Sequence, residues 1–300
     1  MNIRTFFKGF ALAAVSITLL TACPDGDDPK DDNGDGKGTL PGLPPIATLN
    51  GKNFSIPSPL QLSLLIKQTG ASYNAAILNK NDKVDQYTTQ YSKALNLGIY
   101  GADLGYTSIY DHSDDALKYM KSVKKLSDGL GLSQAFDKAT LERIQKNVTN
   151  RDSLLFLVSS TYRDCDHYLK NNHMEDVGAL IVTGGWIESM YLAVNSAGKK
   201  PHADVLKRIA EQKLSIDNLI EMLSLHGGAQ EDVSVVTNKL SEIKELYDQV
   251  TFVYKYIPPV TDKANKITTI KSTSTPQMSD EIYKSITEKI IALRNTIVQN

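Results

Sequence analysis

Asp152-Ser153-Leu154-Leu155-Phe156-Leu157-Val158-Ser159-Ser160-Thr161-Tyr162-Arg163-Asp164-Cys165-Asp166-His167-Tyr168-Leu169 decides the fold class. Leu155, Val158, Tyr162, Cys165 and Leu169 recur at alternating steps of three and four, which places them on one stripe of an α-helix. Asp152 stands where an N-cap belongs, its short carboxylate able to accept from a first-turn amide. The same period returns further along. Val233, Val236, Leu240, Ile243, Tyr247, Val250, Tyr254 and Ile257 keep it for about seven turns. Pro258-Pro259 then stops the run, because proline lacks an amide donor and clashes with the preceding turn. Ser279, followed by Asp280 and Glu281 for the helix dipole, opens a last helix. Its buried stripe is Ile282, Ile286, Ile290, Leu293 and Ile297.

Weaker helical patterns fill the intervening chain. Pro59 suits the first turn of a helix to about Asn79, and a second runs from Asp82 to about Tyr110. Ser113 is placed to cap a helix carrying Leu117, Met120, Val123 and Leu126, ended by Asp128-Gly129. Others cover about 137–149, 175–197, 202–212 and 215–226, the last ended by Gly227-Gly228. Only the Thr- and Ile-rich piece near 265–273 reads as extended, a short segment or hairpin. The expectation is an all-α bundle of about ten helices joined by short loops. Offsets near 80 or 90 residues, with Gly105-Tyr106 and Gly185-Trp186 at similar places, suggest an internal duplication into two four-helix units.

The N-terminus carries an address. Arg4 and Lys8 precede an apolar core from Phe10 to Leu20, about half the length of a bilayer-spanning helix. Leu20-Thr21-Ala22-Cys23 then resembles the lipobox of bacterial lipoproteins. That resemblance implies cleavage before Cys23 and diacylglycerol on its sulfur, with a third chain on its amine, enough for stable anchoring. The alternative is an ordinary secretory signal followed by a chance cysteine. No later stretch reads as long and apolar enough to span a bilayer. The expected domains are therefore 1–22 signal peptide, 23–58 lipidated cysteine and tether, and 59–300 helical body.

Asp, Gly, Pro, Lys and Asn dominate the tether, which cannot bury enough surface to offset its ordering entropy. As a coil of some 35 residues it spans roughly 30 Å. Its acidic residues after Cys23 resemble the surface-export signals of Bacteroidota lipoproteins, though a charged linker that holds the body off an anionic bilayer reads equally from them. Asp31, Asn33, Asp35 and Gly36 match the first half of a calcium loop, but Gly42 stands where the bidentate glutamate belongs. A solvated linker is the better reading. Without Arg4 and Lys8, 31 basic side chains face 34 acidic ones, a net charge of about −3. That mild acidity argues against nucleic acid as a partner.

Leu97-Gly98-Ile99-Tyr100-Gly101-Ala102-Asp103-Leu104-Gly105-Tyr106 is the least ordinary stretch of the body. Each glycine costs a helix interior about 1 kcal/mol relative to alanine. The cluster therefore points to close approach by another backbone or by a ligand. Asn96, Tyr100, Asp103, Thr107 and Tyr110 share a helix face, and the second glycine-bearing helix offers Thr183, Gly184, Gly185, Trp186, Glu188 and Tyr191. If both line one cavity, Tyr100, Asp103, Tyr106, Trp186, Glu188 and Tyr191 make a pocket for a polar or cationic small molecule, since aromatic faces attract cations and carboxylates orient them. Packing through glycine notches is the plainer reading. The glycine-tyrosine stretch, with Ser153-Leu154-Leu155 and Gly184-Gly185-Trp186, resembles an uncharacterised group of exported helical lipoproteins of the Bacteroidota. That resemblance implies no activity and transfers no functional residue.

Asp164 and His167 stand one helical turn apart, as metal ligands can, but Cys165 lies on the apolar stripe and reads as a buried thiol. With Cys23 acylated, Cys165 has no partner for an intramolecular disulfide. Asp152-Ser153-Leu154 matches a short O-glycosylation pattern used by some Bacteroidota, and Asp152 is equally explained as a cap. P-loop, HExxH, CxxC and G-x-S-x-G motifs are missing, and no cofactor is implied. The functional expectation is a membrane-anchored cell-envelope lipoprotein, on the outer membrane, with a helical binding or interaction domain. Its expected partners are the bilayer through acylated Cys23, other envelope proteins or a small polar ligand. The alternative is an envelope hydrolase with its site between the glycine-bearing helices.

Overall fold

A computed structural model describes residues 46–49, 52–133, 139, 142–143, 146–147, 150–196, 201–226, 231–263 and 267–299. The expected signal peptide, Cys23, the calcium-like run and most of the expected tether lie outside the described residues, as does nearly all of the helix expected over 137–149. Residues Gly42–Asn300 form one unit.

Nine α-helices are described: α1 Pro59–Gln68, α2 Gln90–Ile109, α3 Ser113–Gly129, α4 Arg151–Asn171, α5 Glu175–Ser196, α6 Ala203–Ala210, α7 Lys213–His226, α8 Glu231–Asp248 and α9 Asp280–Gln299. The all-α bundle is the fold. At its centre α2 packs lengthwise on α5; α1 and α3 flank α2, while α7 and α9 pack on α5 and α8 packs on α7 and α9. The two glycine-bearing helices are thus the core pair. Along α2 every residue from Ala94 to Ile109 is buried. Helix α5 passes the length and composition test for crossing a membrane, contrary to the sequence expectation, yet 78% of its most apolar window is buried inside the protein. A helix apolar on all sides belongs to the core of a large bundle as readily as to a bilayer.

Local chemistry sets the helix ends, and several differ from the expected ones. Helix α1 begins as predicted, with Ser58 accepting from the Leu60 amide and Pro59 in the first turn. It stops at Gln68, not Asn79, because Gly70 turns the chain at φ +85°. Helix α2 starts at Gln90, not Asp82: Thr89 and Ser92 form a reciprocal cap, and residues 81–86 make a separate 3-10 turn. Ser113 is the first residue of α3 and not its cap. The cap of α4 is Asn150, which accepts from the Ser153 amide at 3.0 Å, in place of Asp152. In α9 Ser279 accepts from the Ile282 amide, as expected.

The largest departure concerns the long run that ends at Ile257. Helix α8 ends at Asp248, and Tyr254 and Ile257 are not on its stripe. Thr251-Phe252-Val253-Tyr254-Lys255 is a strand, β3, because a run of β-branched and aromatic residues favours the pleated backbone. The extended region therefore covers far more than 265–273. Strand β3 pairs antiparallel with β6 (Thr273–Gln277) in the register Thr251↔Gln277 to Lys255↔Thr273. Further out, β4 (Val260–Asp262) pairs with β5 (Ile267–Thr269). A third hairpin joins β1 (Ile46–Leu49) to β2 (Lys52–Ser55) within the expected tether. Asn50-Gly51 between them is the commonest two-residue hairpin signal.

Candidate functional site

The glycines serve backbone contact. A Cβ on Gly98 would stand 2.6 Å from the Gly185 amide nitrogen and against the Ile181 backbone. One on Gly184 would stand 2.8 Å from the carbonyl carbon of Leu95. Neither neighbour is a flexible side-chain end that can move aside. Helices α2 and α5 therefore close on each other at this seam, and no cleft opens between them there.

Just beyond the seam the two expected carboxylates come together. Asp103 and Glu188 are both 0% exposed. Between α5 and α9 stands a residue the sequence reading did not include: Arg294, which donates to Glu188 from Nε at 2.9 Å and from a terminal nitrogen at 3.0 Å. The same guanidinium lies 4.3 Å from the centre of the Tyr191 ring. The anionic and aromatic cage expected for a cationic ligand is thus built, and its cation comes from the chain itself. Arg294 stands beside the apolar stripe of the last helix, three and four residues from Ile297 and Ile290, but Lys289 has the same spacing to Ile286 and Leu293, so the sequence signal alone does not single Arg294 out.

Two carboxylates and one guanidinium leave a surplus negative charge in a dry interior. Burial pushes the Asp103 carboxyl well up, and the neighbouring Glu188 charge adds to the effect. Asp103 Oδ2 accepts from the Asn79 amide at 3.1 Å, whereas Oδ1 accepts from no donor. A proton on Oδ1 resolves both problems: it becomes the donor toward Glu188, and the triad becomes neutral. Burial opposes the charge on Arg294, but the adjacent Glu188 outweighs it and holds the guanidinium ionised.

The remaining predicted residues do other work. Residues 69–88 cross one face of α2 as a strap, pinned by phenols. Tyr100 donates to the Lys80 carbonyl at 2.8 Å, Tyr119 to that of Asn79 at 2.9 Å, and Tyr110 to that of Ala71 at 2.7 Å. Burial pushes all three phenols up, so they stay neutral donors. Tyr106 joins a second aromatic cluster, stacked on Tyr73 at 5.5 Å, with its hydroxyl accepting from the Asn74 amide. Trp186 is not part of the carboxylate site. Its indole donates to Gln212 at 2.9 Å, before α7, because positions 186 and 188 point to different sides of a helix. Asn79 was missed as well; it ties the strap to Asp103, Tyr87 and Tyr119 together.

Asp164 and His167 are exposed and Cys165 is buried, as their places relative to the stripe imply. Among the described residues no three His, Cys, Asp or Glu side chains gather into a metal-sized group. A half-open cavity of about 320 Å³ lies elsewhere, between the ends of α1 and α5 and the start of α6, lined by Ile66, Thr69, Gly70, Ala71, His202 and Val205. No protein-family model, curated protein or solved structure matches this chain.

Proposed function

We propose that this protein is a membrane-anchored lipoprotein of the cell envelope whose helical body is a non-enzymatic interaction module. The observation that carries the second half of this reading is Arg294. By filling the cage of Glu188 and Tyr191, it turns the most reactive-looking cluster in the sequence into a structural fastening. The alternative hydrolase needs an open site between the glycine-bearing helices, where backbone meets backbone. The first half is supported by Leu20-Thr21-Ala22-Cys23 behind a short apolar core.

Metabolic labelling with radioactive palmitate, followed by detergent phase partition, tests the anchor. The wild-type chain takes up label and enters the detergent phase; Cys23→Ala does neither. Equal labelling of both, or an unmodified thiol at residue 23 in the mature protein, overturns the reading.

A further inference from the structure

The segment 251–277 leaves the helical body as a narrow two-stranded arm, β3 with β6 and then β4 with β5. Its base is fixed: Val250 is fully buried, and Lys213 donates to its carbonyl at 2.7 Å. Midway, Ser272 holds both the amide and the carbonyl of Ile257 at 3.0 Å. Beyond the base the arm is exposed, and its surface is unusually apolar. Phe252, Val253, Tyr254, Tyr256, Val260 and Ile267 are all in solvent, and Ile270 is 75% exposed. A free two-stranded ribbon is marginal in water at best, and solvent-exposed apolar clusters mark contact surfaces.

Three observations select the kind of surface. Apolar side chains occupy both faces: by register, Phe252 and Tyr254 share one face with Pro276 and Ser274, and Val253 lies on the other with Thr275. Apolar groups on both faces suit surroundings that envelop the ribbon, as the headgroup region of a bilayer does. The arm is also basic, with four lysines and one aspartate in residues 251–277, in a chain that is otherwise acidic. Lys255, Lys263 and Lys271 are exposed among the aromatic and aliphatic side chains. Tyrosine and lysine beside aliphatic residues is the composition of membrane interfaces. Finally, Pro258, Pro259 and Pro276 interrupt its edges, which blunts strand-to-strand addition of another chain.

We infer that the arm docks on the interfacial region of an anionic bilayer, its aromatic and aliphatic side chains at headgroup depth and its lysines on lipid phosphates. It does not span the bilayer, because a two-stranded ribbon has unpaired edge amides and carbonyls that hydrocarbon cannot satisfy. The inference rests on the lipoprotein reading only for naming the bilayer that lies beside the body. Arm docking would then fix the orientation of a domain that the lipid tether alone leaves free.

Tyr254→Trp in the full chain tests this. The native indole of Trp186 is buried in the body and serves as an internal control; circular dichroism confirms the fold. Vesicles are phosphatidylcholine alone or with 30% phosphatidylglycerol (roughly the anionic share that gives a marked surface potential), each with or without brominated acyl chains. The expected result is a blue-shifted emission that brominated lipid quenches in the anionic vesicles, over a wild-type signal that it leaves unchanged. Lys255→Glu with Lys271→Glu in that background lowers the apparent affinity at least roughly fivefold per lysine. Emission that stays water-like in every vesicle overturns the inference. So does quenching indifferent to phosphatidylglycerol, or a blue shift that follows protein concentration without lipid, which marks pairing of two copies. Palmitate labelling reads the anchor separately, so failure of the arm and failure of the anchor are distinguishable.

Discussion

Arg294 grips Glu188 with two parallel hydrogen bonds, at 2.9 and 3.0 Å, across 106 residues of chain. With 7% and 0% of their side chains exposed, the pair joins α9 to α5 in the dry interior. Such a pair adds little net stability over apolar residues of the same shape, but removing one partner strands a charge. Arg294→Met should therefore cost about 3–5 kcal/mol in urea unfolding. Adding Glu188→Gln should recover most of that loss. A double variant as unstable as the single one would show that the stacking of Arg294 on Tyr191 matters more than the charge.

Asp103 should make stability fall as pH rises. Burial and Glu188 hold its carboxyl protonated well above the 3.8 of an ordinary aspartate. The folded chain thus keeps a proton that the unfolded chain has already released. Its stabilising effect is complete below pH 3.8 and is lost as pH climbs through the raised folded value, by about 1.4 kcal/mol per pH unit within that window. Asp103→Asn keeps an acceptor for Asn79 and a donor for Glu188, and should flatten this slope by one proton. Urea melts of both proteins at pH 4.5 and roughly two units higher compare the slopes; identical slopes contradict a shared proton.

Glycine replacements should separate backbone contact from empty space. Gly98→Ala places a methyl group against the Ile181 backbone and 2.6 Å from Gly185. It should destabilise by about 3 kcal/mol or prevent folding, beyond ordinary overpacking. Gly185→Ala meets nothing closer than 3.5 Å and should be neutral or gain up to about 1 kcal/mol of helix propensity. Thermal melts of the two decide it; equal losses would mean that the seam is tighter at Gly185 than its geometry indicates.

Cys165 should be slow to alkylate. It lies on the inner side of α4 at 9% exposure, so a bulky disulfide reagent should react fast only in denaturant. Cys165→Ser should cost about 1–3 kcal/mol through a buried hydroxyl. Rapid reaction in the native protein would contradict the burial.

The sequence alone determined the all-α class, the start of α1 at Pro59, the opening of α9 at Ser279 and the importance of the glycine stretch. These follow from periodicity, proline and capping chemistry, which act over a few residues. It also singled out Asp103 and Glu188, as carboxylates beside aromatic residues on the two glycine-bearing helices. Tertiary structure decided the rest. A three-to-four spacing through Val250, Tyr254 and Ile257 fits a helix, but Val250 is the last of the three that the core buries, and beyond it β-branched and aromatic preferences take over. Trp186 and Glu188 are neighbours in sequence and face different partners. Above all, the cation that answers Glu188 lies 106 residues away, and Asn79 reaches Asp103 from the strap between α1 and α2. Local patterns carry backbone preference and burial, whereas charge pairing depends on which distant faces are brought together, and only the folded chain sets that.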